Sequence, residues 1–340
     1  MNHEEQTSES LSANVHALLE RSTLPLEAGV SVSGDFDSEE QARELSMAVY
    51  GFLKLFGGFL NLAGLEGATV SDDYAGALAK VERGFETQHV LTATNDEFGA
   101  GFAMAVPVVR NDIAKTHIVI HSGLAKFLLD PKGEFYSEAV YTLVHEAAHA
   151  HDHLISGAAY PVGIMKMPFK DATLYNLAQG CWSEYIACCL SADWASQNYC
   201  KSYEDSLCSM LSTARKRGNE HIEQFQIHRV VMKTFNELVG VYGNLLTRTS
   251  YLVGQIHGSE GTVEEMAPVF HKLVNETEWF KPAFDDYEQK IRALHQTYGQ
   301  WKGVEVFEPL MDLFEDLLYL GGTTIELKPT GDYHVEFTRR

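Results

Sequence analysis

From Ser137 to the glycine pair at 321–322, apolar residues return every three to four positions in one segment after another, with hardly a break for turn chemistry. The spacing predicts helices over 137–155, 172–198, 204–217, 219–256, 262–274, 281–300 and 306–320. Upstream the pattern differs. HVLTATND, GFAMAVPVVR and THIVIHSG are short runs rich in β-branched residues, and Arg110-Asn111-Asp112 supplies a turn between the second and third. The tail alternates again as TTIELK and YHVEFT around Pro329-Thr330-Gly331-Asp332, a terminal hairpin. Helices, a small sheet and then helices predict an α+β, mostly helical fold, with a small β-sheet packed on a central helix.

The N-terminal part is polar and acidic. Residues 1–100 carry seventeen acids against five bases, a large share of the formal net charge of −21. Charge of that sign argues against nucleic acid or an anionic membrane as a partner. MNHEEQTSES has neither a basic nor an apolar region of a secretory signal, and the most apolar run, Val49 to Leu65, is interrupted by Lys54 and four glycines. Residues 1–30 read as a flexible acidic leader with a short helix near Val15 to Arg21. Asp37 or Ser38 caps a helix through EEQARELSMAVYGFLKLF, and a second covers Asp73 to Arg83. The domain reading is a leader over 1–30, an α+β core over 31–200 and a helical region with its hairpin over 201–340. The cysteines, Cys181, Cys188, Cys189, Cys200 and Cys208, are odd in number and contain no C-x-x-C pair. That pattern predicts small buried thiols, kept reduced in a cytoplasmic setting.

Within the helix at 137–155, residues 145–149 read His-Glu-Ala-Ala-His. At about 100° per residue, His145, His149 and Asp152 share one face, with His153 and Glu146 beside it. Val140, Leu143, Ala147 and Leu154 fall opposite, on the core side. Ser137 is the expected N-cap and Gly157 the stop. Two imidazoles at i and i+4 can hold one zinc ion, and the glutamate between them is placed to act as general base on water. A third ligand is needed. Glu184, 35 residues beyond His149, lies on a helical segment among the small residues Gly180, Cys181, Cys188 and Ser191. His151, Asp152 and His153 are rivals by proximity, but His151 points to the core side and His153 is two turns below His145. Asp152 reads better as an acceptor for the ring N–H of a ligand histidine.

HEAAHAHD followed by WSEYIA resembles the gluzincin zinc metallopeptidases, whose signature is H-E-x-x-H with a downstream glutamate ligand. Within that group, H-E-x-x-H-x-x-D followed by E-[FY]-x-A is similar to the lethal-factor and MtfA-like branch, and ImmA/IrrE-type peptidases carry a similar Glu-x-x-Ala helix. The resemblance covers residues 116–195. It implies that His145, His149 and Glu184 bind Zn2+, that Glu146 is the general base, and that THIVIHSG is the edge strand on which an extended peptide lies. Cys188 stands where thermolysin-like members carry an aspartate, and Ile155 where metzincins need a third histidine.

The reaction expected of such a site is hydrolysis of peptide bonds in an intracellular protein substrate, with Glu146 passing the proton to the departing amine. Tyr175, Tyr185 and His228 are candidates for stabilising the oxyanion, though none matches a motif. The aromatics Trp279, Phe280, Phe284 and Trp301 read as core. Two other readings stay open: a zinc-dependent hydrolase of a non-protein amide or ester, and a catalytically silent binding module.

Overall fold

Asn111 and Asp112 both have positive φ, 51° and 63°, the backbone that a two-residue hairpin turn demands and that Asn and Asp tolerate best after glycine. They join β5 (Ala103–Arg110) to β6 (Ile113–His121), as the sequence predicts. The computed structural model describes residues 14–36, 38–87, 91–93, 95–96, 99–160 and 167–340. These fall into two compact units: the described residues up to 160 with 194–196, and residues 167–193 with 197–340.

The first unit is built on a four-stranded sheet in the order β1-β2-β6-β5, where β1 is Gly29–Ser33 and β2 Leu65–Ser71. The pairs β1–β2 and β2–β6 are parallel, and β5–β6 is antiparallel. β1 and β2 were not expected from the sequence. GVSVS does alternate, but over five residues beside the acidic leader, and LEGATVS is interrupted by a glycine at a register shift. The expected strand HVLTATND lies partly outside the described residues. What is described there is irregular chain at 91–93 and a two-residue ladder between β3 (Asn95–Asp96) and β4 (Gly99–Ala100).

A helix over residues 14–20 (α1) comes first, and Thr23 then anchors the chain by donating to the Leu60 carbonyl and accepting from the Leu62 N–H at 2.9 and 2.8 Å. Ser38 caps α2 (Glu39–Phe56) by accepting the Gln41 N–H, whereas Asp37 lies outside the described residues. Helix α3 (Tyr74–Ala79), capped by Asp73, covers one face of the sheet, where Tyr74 and Leu78 pack with Val106, Val108 and Val119. After α4 (Ser122–Ala125) comes α5 (Tyr136–Ile155), which packs against β5, β6 and α2. It starts at Tyr136 rather than at a Ser137 cap, and the Ser137 hydroxyl bonds to Glu138 instead.

The second unit is the helical part. Its elements are α6 (Phe169–Ser191), α7 (Gln197–His228), α8 (Val231–Gly258), α9 (Val263–Met266), α10 (Pro268–Glu276), α11 (Lys281–Gln296), α12 (Glu308–Leu320) and the hairpin β7 (Thr323–Leu327) with β8 (Tyr333–Phe337). The break expected at Gly218 is absent. α7 runs through it, and the chain turns at Arg229, whose φ is 58°. Gly218 is a contact residue: a Cβ there would stand 2.4 Å from the Tyr242 hydroxyl. Phe280 and Phe284 are buried, while Trp301 packs on Trp182 and Phe307, so these aromatics belong to the core. No helix of the described residues is long and apolar enough to cross a membrane.

Two glycines of α8 separate propensity from packing. Gly240 has open space where a Cβ would go, whereas a Cβ on Gly254 would stand 2.3 Å from the Tyr185 carbonyl oxygen. Gly240→Ala is expected to stabilise the protein by up to about 1 kcal/mol, and Gly254→Ala to cost about 1–3 kcal/mol. Urea unfolding of both variants checks the opposite signs.

Candidate metal centre

α5 carries its site residues on a helix buried almost all round. His145, Glu146 and His149 are each under a tenth exposed, Asp152 is fully buried, and so are Ala147 and Ala148 between them. Of the residues expected on the core side, Val140, Leu143 and Ala147 are buried and Leu154 is 38% exposed. The two imidazoles meet edge to face, with Nε2 of His145 and Nε2 of His149 3.1 Å apart. Two ligands of a tetrahedral zinc ion with bonds of about 2.0–2.1 Å stand roughly 3.4 Å apart, so the pair fits one zinc with a small adjustment. A shared proton, one ring donating to the other, is the alternative use of the same geometry.

Glu146 turns toward the sheet. Its Oε2 accepts the Ala105 N–H at 2.6 Å. This bond is available because β5, not β6, is the edge strand on this side of the sheet. THIVIHSG was expected to be that edge, but β6 is paired on both sides, by β2 and by β5. Pro107 sits on the true edge, the one place in a sheet where a missing N–H costs nothing. The far half of the β5 edge is covered by the chain itself: Val109 N–H donates to the Arg83 carbonyl and Arg83 Nε to the Pro107 carbonyl, both at 2.7 Å. The half beside Glu146 begins at Ala103.

The remaining polar residues of α5 have structural partners. His151 Nδ1 accepts the Asn61 N–H at 2.7 Å, and His153 Nδ1 lies 3.0 Å from the Thr116 hydroxyl on β6. The rivals to Glu184 are therefore tied to the chain around α5. Asp152 Oδ1 accepts from Ser156 and Oδ2 from Tyr160, at 2.7 and 2.6 Å. Tyr74, on the opposite face of the sheet, was not singled out by any sequence pattern. Burial first, and the charge of Glu146 second, push its phenol well up, and its hydroxyl has no hydrogen-bond partner among the described residues.

Glu184 belongs to the second unit, on the middle of α6. There it is hydrogen-bonded to Tyr251 of α8, a residue that no motif marks. Tyr185, one position on, packs inward, its hydroxyl 3.0 Å from His257 Nδ1 and 2.9 Å from His295 Nδ1. Tyr175 is buried against Phe307, and His228 Nδ1 accepts the Val230 N–H at the end of α7. All three oxyanion candidates are thus engaged within the helical unit. The five cysteines are free thiols, and burial pushes Cys181 up to about 12 and Cys189 up to about 11. In both the cause is burial, which disfavours the thiolate.

Comparisons with protein-family models, with curated protein sequences and with solved structures return no match for the chain.

The buried histidines make stability depend on pH. Burial, with a smaller contribution from His149, holds His153 at about 3 against an ordinary value of 6.5, and burial lowers His117 and His151 as well. Above pH 6.5 both folded and unfolded chains are neutral at these rings, and the stability is complete. As pH falls below that value the unfolded chain takes up protons that the folded chain refuses, so stability is lost progressively toward pH 3. Between pH 6.5 and 5, His153 alone accounts for about 2 kcal/mol. Unfolding of the chelator-treated protein should show this loss, and His153→Gln should flatten the profile; an unchanged slope contradicts the assignment.

Proposed function

We propose that this chain is a zinc-dependent metallopeptidase, in which His145, His149 and Glu184 hold the metal and Glu146 is the general base. The observation that carries the reading is the buried His145–His149 pair at 3.1 Å with Glu146 on the turn between them, its carboxylate already oriented by the sheet. The three proposed ligands each offer one ligand atom of a type that zinc takes. Bound there, zinc supplies Lewis-acid polarisation of a carbonyl and acidifies water.

The chain's own residues supply the rest. With Oε2 held by the Ala105 N–H, Glu146 uses Oε1 to take a proton from the attacking water. As the carbon–oxygen bond forms and the carbon–nitrogen bond breaks, the same carboxyl returns that proton to the leaving amine. Asp152, one turn beyond His149, is proposed to fix a ligand ring by accepting its N–H, with Ser156 and Tyr160 holding the carboxylate in place. Ala103 to Ala105 on the β5 edge, next to Glu146, is where an extended peptide would meet the base. The five free thiols and the net charge of −21 support an intracellular protein substrate rather than nucleic acid or a membrane surface.

Metal analysis and trapping test this together. Wild type is expected to carry one zinc per chain, His145→Ala to lose it, and Glu146→Gln to keep it. Glu146→Gln should also retain a protein partner that the wild type releases cleaved, with turnover lower by about 10²–10⁴-fold. Failure of the wild type to bind zinc overturns the proposal. Zinc binding with capture of no protein points instead to a non-protein amide or ester.

A further inference from the structure

Helices α6 and α8 run parallel, and their contacts repeat at a constant offset along both. A Cβ on Gly243 would stand 2.6 Å from Leu177 Cδ2. One turn on, Thr247 Oγ1 lies 3.7 Å from Cys181 Sγ. A Cβ on Gly254 would stand 2.3 Å from the Tyr185 carbonyl oxygen and 3.0 Å from Cys188 Cβ, and one on Gly258 2.6 Å from Ala192 Cβ. The glycines at 254 and 258 therefore bring the backbone of α8 directly onto α6, the role small residues play wherever helices approach this closely. Between the Thr247 and Gly254 rungs, α8 presents Tyr251 and α6 presents Glu184, and these two side chains are hydrogen-bonded.

The ring of Tyr251 is clamped on its other sides. Tyr203 of α7 packs against it, tilted, at 5.4 Å between centroids, and the Arg248 guanidinium stands 5.3 Å over the ring. A phenol O–H donates and a carboxylate only accepts, so Tyr251 is the donor and Glu184 the acceptor.

We propose that Tyr251 is a positioning residue for the metal centre: its hydroxyl holds the Glu184 carboxylate by one hydrogen bond and presents that carboxylate to the metal as a single-oxygen ligand. The proposal rests on the reading of Glu184 as the third ligand. Outer partners of this kind orient a ligand before the ion arrives, and their removal typically weakens metal binding by about 10–100-fold. An aliphatic or aromatic residue in place of Tyr251 would fill the same space but leave the carboxylate to choose its own rotamer.

Zinc dissociation constants, read by competition with a chromogenic chelator, test it in four proteins: wild type, Tyr251→Phe, Glu184→Ala and the double variant. Tyr251→Phe is expected to weaken zinc by at least about tenfold, and to have no further effect when Glu184 is already alanine. Equal zinc affinity in Tyr251→Phe and wild type overturns the proposal, as does an equal loss in both backgrounds, which would mark Tyr251 as a packing residue only. The ligand reading fails separately: Glu184→Ala would then bind zinc as tightly as wild type.

Discussion

Two imidazole nitrogens buried 3.1 Å apart require something positive between their lone pairs, a shared proton or a metal cation. The arrangement of α5 follows from that requirement. The helix is covered almost all round, so most of its polar side chains are satisfied by partners outside the helix or near its end. β6 provides Thr116 for His153, the turn after α2 provides Asn61 for His151, Ser156 and Tyr160 serve Asp152, and the edge strand serves Glu146. The His145–His149 pair lies among these fixed side chains. Fixed partners around it give the two rings a narrow choice of positions, the pre-organisation that a metal site needs before the ion arrives.

The sheet does two jobs through one feature of its topology. β5 turns back antiparallel on β6 and so becomes the edge. One of its outward N–H groups orients Glu146, another is taken up by Arg83, and Pro107 removes a third that would otherwise face outward. An edge that is partly capped in this way is poorly suited to open-ended pairing with other chains. In the helical unit, the comparable constraint is the close approach of α8 to α6. It sets the rotation of the helix that carries Glu184 and puts a phenol, rather than an apolar side chain, against the carboxylate.

Much of this was legible from pattern alone, and the exceptions share physical causes. Periodicity marked α5 because its buried and polar residues recur at helical spacing, and Asn111-Asp112 announced the β5–β6 turn because few other residues accept its backbone. β2 escaped notice because a parallel strand buried on both faces loses the alternation that identifies a strand, and β1 because its alternation runs over only five residues beside the acidic leader. Gly218 was read as a helix break, when its small size serves Tyr242. The identity of the edge strand depends on sheet order, which no local pattern carries. Tyr251 was invisible as a single tyrosine among fifteen. The spacing Gly254-x-x-x-Gly258 beside it was the available signal of close helix packing.

The central claim is a metal held by two histidines and a glutamate, with the clustered cysteines taking no part. X-ray absorption spectroscopy of the zinc-loaded protein at neutral pH tests it most directly. The expected first shell contains two imidazole nitrogens and oxygen, with no sulfur, and loses one oxygen donor in Glu184→Ala. A sulfur shell from the thiols between Cys181 and Cys208, or a shell with fewer than two imidazoles, would contradict the account.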